Sequence, residues 1–152
     1  MRRGRLALLA VAAALAAGCQ EETSPAPLSC TGEPDTILAA LDGAPGEVRL
    51  TDGATLSGCV RLARTDADLQ NVGVTFSNAA EDLEVDALKG DEQAALRLGY
   101  LVGAARKGAE TSSGVGAELV RRLERSAALD GATSPDAAAS LQRGLEAGEA
   151  RG

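Results

Sequence analysis

The stretch from Asp91 to Lys107, DEQAALRLGYLVGAARK, reads as a single helix. Asp91 and Glu92 stand where carboxylates favour a helix N-terminus, and Arg106 and Lys107 where cations favour its end. Between them Ala95, Leu98, Val102 and Ala105 recur at spacings of three and four, so one face is apolar, and Gly108 is the expected stop. Ala95, Gly99 and Gly103 also form a ridge of small residues at four-residue steps, which lets another backbone approach closely. Such a ridge packs against a neighbouring helix of the same chain; self-association or a partner helix is the alternative. Tyr100 lies off the ridge and is expected at the boundary of the core, its hydroxyl in water.

The same pattern extends to both sides. Thr65 and Asp68 form a capping-box start, after which Leu69, Val72, Phe76, Ala80, Leu83 and Ala87 recur helically as far as Gly90, with Gly73 and its flanking valines weakening the middle. Downstream, Val115, Leu119, Leu123 and Ala127 mark a helix running towards Gly131. Ser134-Pro135-Asp136 opens another with a cap, an N1 proline and an early acid. Gly144, Gly148 and Gly152 predict fraying beyond about Glu146. Residues 30–64 are broken by Gly32, Pro34, Gly43, Pro45, Gly46 and Gly53, leaving a short helix at 35–41 and an extended 47–50. Asp52-Gly53 allows a hairpin into 55–62, but a helix capped by Ser57 and ending in Arg61 and Arg64 is preferred. A core with one Phe, one Tyr and no Trp, built from Leu, Val and Ala, suits close-packed helices. The expected fold is all-α: a small antiparallel bundle of three to four main helices over residues 65–147, then a frayed 148–152. A loop-rich segment, 30–64, precedes it. A tetratricopeptide array is rejected: Leu98-Gly99 fits, but Val102 stands where that repeat needs a tyrosine.

The N-terminus has the layout of an export signal. Arg2, Arg3 and Arg5 precede an uncharged run, Leu6–Leu15, about half the length that spans a bilayer, and small residues follow. Ala16-Ala17-Gly18-Cys19 resembles the lipobox of bacterial lipoprotein signal peptides, with the family's preferred leucine one place early, at Leu15. That resemblance implies that residues 1–18 are cleaved and that Cys19 is acylated through its sulfur as the first residue of the mature chain. It also implies an extracytoplasmic location, lipid-anchored to the cell membrane or outer membrane; Gln20, where an aspartate would retain the protein at the inner membrane, favours the outer one. Residues 19–29, continuing QEETSPAPLS, read as lipidated cysteine and flexible tether. With Cys19 acylated, Cys30 and Cys59 remain as an even pair in an oxidising compartment, and a disulfide is the expected state.

Cleavage removes three arginines and no acid, leaving 12 bases against 22 acids. That balance disfavours nucleic acid and a polybasic membrane face, so the bilayer contact expected is the lipid on Cys19 alone. The chain has no histidine, which excludes Ser-His and Cys-His nucleophiles and histidine metal ligands. Ser112 and Ser113 therefore read as loop serines. The acids Glu81, Asp82, Glu84, Asp86, Asp91 and Glu92 superficially match a calcium loop, but Ala87 and Gln93 occupy the positions that need glycine and a bidentate glutamate. They read as a solvated helix face. No catalytic residue, metal ligand or cofactor is assigned. The function expected is a non-enzymatic protein-interaction or structural module of the cell envelope, with an envelope protein as its possible partner. The alternative is a small-molecule or ion-binding domain using an interhelical cleft near the 81–92 acids.

Overall fold

The computed structural model describes residues 26–110, 114–129 and 133–152; Cys19 and the Ser112-Ser113 pair lie outside them, as does most of the tether. A 3-10 turn, Leu28–Thr31, leads into six helices: α1 Pro34–Leu41, α2 Leu56–Leu62, α3 Asp66–Leu88, α4 Glu92–Ala109, α5 Val115–Ser126 and α6 Pro135–Arg151. No strand forms among the described residues, and the bundle is all-α. None of its helices is long and apolar enough to cross a membrane.

The helix starts follow from capping. Thr65 accepts from the Asp68 amide at 3.1 Å while Asp68 accepts from the Thr65 amide at 3.3 Å, closing the capping box. Asp91 accepts from Gln93 and Ala94, and Ser134 from Ala137. Gly90, at φ +93°, ends α3 where a side chain would be strained. At α2 the cap is Thr55, which accepts from Gly58, and not Ser57. Ser57 is two positions too far in: it is buried and donates to the Gly152 oxygen at 2.5 Å.

α4 is the central helix. It touches α1, α2, α3, α5 and α6, and twelve of its eighteen residues, from every face, are buried. The amphipathic reading of this segment is thus too narrow. Tyr100, expected at the boundary, is completely buried, because α4 has no solvent face at that turn. Gly108 does not stop the helix; it lies inside α4, and an added Cβ would meet Val60 of α2 at 2.7 Å.

α4 and α6 run parallel, since α5 carries the chain back between them. A Cβ at Gly99 would meet Leu145 N at 2.8 Å and one at Gly103 would meet Glu149 N at 2.7 Å, so successive turns match in the same order. Gly144 and Gly148 reciprocate against Tyr100 N and Ala104 N, at 2.9 and 2.8 Å. The expected fraying of 148–152 is corrected by this contact: α6 continues to Arg151, and Gly152 is buried against Ala104. Arg151 donates to the Pro45 carbonyl and Lys107 to the Ala150 carbonyl, fixing the last turn further.

Candidate interaction surface

The expected disulfide between Cys30 and Cys59 is present. Cys30 and Cys59 are fully buried and joined, Cα to Cα 5.5 Å, linking the Leu28–Thr31 turn to α2. Cys19 lies outside the described residues. The ridge of Ala95, Gly99 and Gly103 is fully buried, and its two glycines are filled by α6 of the same chain. Its complement, Gly144, Gly148 and Gly152, was missed by sequence reasoning although it repeats the same four-residue step.

The acidic cluster is exposed and locally occupied. Asp91 caps α4, Asp86 pairs with Lys89 at 2.8 Å, and Glu81 and Asp82 face solvent. Among the described residues no three Asp, Glu, Cys or His side chains converge as a metal set. Other ion pairs tie helices together. Arg106 on α4 reaches Glu124 on α5 at 2.7 Å and Glu149 on α6 at 3.1 Å, and Arg97 on α4 reaches Asp42, just after α1, at 2.6 Å. Both carboxylates raise the Arg106 pKa against the opposing effect of burial. The Tyr100 hydroxyl makes no hydrogen bond of good geometry, and burial pushes its pKa up while the Val48 backbone pulls the other way.

Two of the surface hollows among the described residues meet at Val74. One is a groove of about 320 Å³ between α3 and α5, floored by Leu69, Gly73 and Leu119 and rimmed by Gln70, Glu118 and Arg122. Glu118 pairs with both Arg121 and Arg122, so the rim is electrostatically neutralised. The other lies between α3 and the start of α1, where Asn71, Thr75 and Asn78 face Thr31, Gly32 and Pro34. Thr75 donates to the Gly32 carbonyl at 3.1 Å and closes its floor. Val74 is 61 % exposed and Leu28, at the entrance of the described chain, 88 % exposed. A groove with an apolar floor and paired charges at its rim is suited to contact. No protein-family model matches the chain, and neither a curated protein nor a solved structure matches it.

Proposed function

We propose that this protein is a lipid-anchored extracytoplasmic lipoprotein whose helical domain is a non-enzymatic interaction or structural module of the cell envelope. The observation that carries this reading is the Cys30–Cys59 disulfide taken with the sequence around Cys19. Two of the three cysteines are buried in a disulfide that suits an oxidising compartment, and the third, Cys19, closes the lipobox-like Ala16-Ala17-Gly18. The absence of histidine from the sequence and the neutralised, shallow groove between α3 and α5 support contact over turnover.

Metabolic labelling with a clickable fatty acid, with membrane fractionation and crosslinking of the tagged chain, tests the proposal. The expected result is label and membrane recovery that Cys19→Ala abolishes, with one stoichiometric partner crosslinked to the anchored form. An unlabelled protein released into the soluble fraction overturns the anchor; a labelled protein recovered alone overturns the interaction module. The second reading, a small-molecule or ion-binding domain, rests on the α3/α5 groove, which none of the 81–92 acids lines. It requires a ligand-induced rise in Tm that Gly73→Leu removes.

A further inference from the structure

Beyond the signal segment, two stretches of ten or more residues in this acidic chain contain no charged residue, 23–32 and 69–80. They are separated by more than thirty residues, yet the fold packs the Leu28–Thr31 turn of the first against the α3 segment that holds the second. The Thr75 hydroxyl bonds to Gly32 across the junction. Along the outer side of α3, Asn71, Val74 and Asn78 are exposed one turn after another, and Leu28 is exposed in the adjoining turn. The acids lie at the margins. Glu33 lines the hollow on one side of Val74 and the paired Glu118 and Arg122 line the groove on its other side, while Asp52 is held by the Ser29 hydroxyl at 2.7 Å, Asp66 and Asp68 precede the uncharged part of α3 and Glu81 and Asp82 follow it.

We infer that this charge-poor face, with Leu28 and Val74 at its surface, rests on the lipid bilayer that holds Cys19 and turns the acidic remainder of the domain to solvent. The inference stands on the lipid anchor proposed above. Leu28 is nine residues from Cys19, a span of about 30 Å at full extension, so the headgroup region is within reach of the whole patch. The exposed strip of Asn71, Val74 and Asn78 with Leu28 costs less to take out of water than a charged surface, because it presents amides and apolar side chains and no ion of its own. With 12 bases against 22 acids beyond the signal, the rest of the domain is repelled by anionic headgroups. The tether confines the domain near the bilayer, and the distribution of charge decides which side faces it.

The chain lacks tryptophan, so a single introduced indole reports position without background. The lipidated full-length protein would be reconstituted into phosphatidylglycerol–phosphatidylethanolamine vesicles carrying brominated acyl chains, as L28W, V74W and, on α6, Q142W. Fluorescence of L28W and V74W should be quenched at least twofold more than that of Q142W. Adding Asn71→Glu and Asn78→Glu to V74W, both at exposed positions, should return its quenching to the Q142W level. V74W is the deciding variant, since the tether alone brings residue 28 near the lipid. If the protein floats with the vesicles and V74W is quenched no more than Q142W, the orientation is overturned and the anchor stands. If it does not float, the anchor itself fails and the orientation with it.

Discussion

Gly144 of α6 lies directly against the Leu96 carbonyl of α4, close enough that a methyl group on Gly144 would overlap that oxygen and come within 2.9 Å of the Tyr100 amide nitrogen. The obstacle is backbone on both sides, so no side-chain rotation relieves it. Gly73 of α3 is the contrasting case: a Cβ there would meet only the Leu119 Cδ1 at 3.8 Å, an ordinary contact. Both glycines lie within helices, where alanine is intrinsically favoured by about 1 kcal/mol. Gly73→Ala is therefore expected to stabilise by about 0.5–1 kcal/mol. Gly144→Ala should destabilise by about 2 kcal/mol or more, its propensity gain outweighed by overpacking. Urea denaturation of the two variants checks the pair; equal signs would show that α4 and α6 are not in this contact.

The opposite behaviour of these glycines explains which parts of the fold could be read in advance. Helix starts at Thr65, Asp91 and Ser134 were legible because a cap is a local device, complete within four residues. The ridge on α4 was legible as a packing surface. Gly144, Gly148 and Gly152 read as fraying because local propensity is low there, and only the partner helix reveals that the missing side chains make room. Tyr100 was misplaced for a related reason: periodicity within one helix cannot tell a helix on the surface from one in contact with five others. The uncharged stretch 69–80 was visible in the sequence, but its significance depends on the Leu28–Thr31 turn packing beside it.

Tyr100 predicts an alkaline transition. Burial raises its pKa above the ordinary 10.0, with Val48, Arg151 and Arg49 opposing and Glu47 assisting. A group whose native pKa exceeds its unfolded value contributes stability that is full below pH 10 and is lost as pH rises through the native value. As the chain has one tyrosine, absorbance at 295 nm follows this group alone. Its ionisation should coincide with a fall in Tm above pH 10, and Tyr100→Phe should lessen that fall. At pH 7 the same variant is expected to cost less than about 1 kcal/mol, since the hydroxyl it removes has no well-formed hydrogen bond.

Asp52 acts in the opposite direction. The Ser29 hydroxyl and then the Ala54 amide hold its carboxyl below the ordinary 3.8. A depressed native pKa contributes stability present above the unfolded value and lost as pH falls through the native one. Ser29→Ala should raise the Asp52 titration midpoint in a carboxyl-resolved NMR experiment towards 3.8, and a midpoint unmoved by the substitution would exclude the hydroxyl as the cause. Asp52→Asn should make the acid limb of the stability curve shallower.

The Cys30–Cys59 bond joins residues 29 apart in sequence and closes a loop containing α1 and the irregular segment before α2. In the chain-entropy account such a loop stabilises the native state by about 3 to 4 kcal/mol. Replacing both cysteines with alanine should lower Tm on the order of 10 °C for a domain of this size. Both sulfurs are fully buried, so a reductant reaches them only when the turn lifts or the domain opens. Thiol trapping in reductant alone should therefore be slow, and should accelerate in urea below the unfolding midpoint if the Leu28–Thr31 turn opens separately from the bundle. Acceleration only within the global transition would instead make the turn, through Thr75 and Gly32, one cooperative unit with α3. That second outcome is the one expected, because the turn's buried cysteine, its bond to α2 and its hydrogen bond to α3 must all yield together.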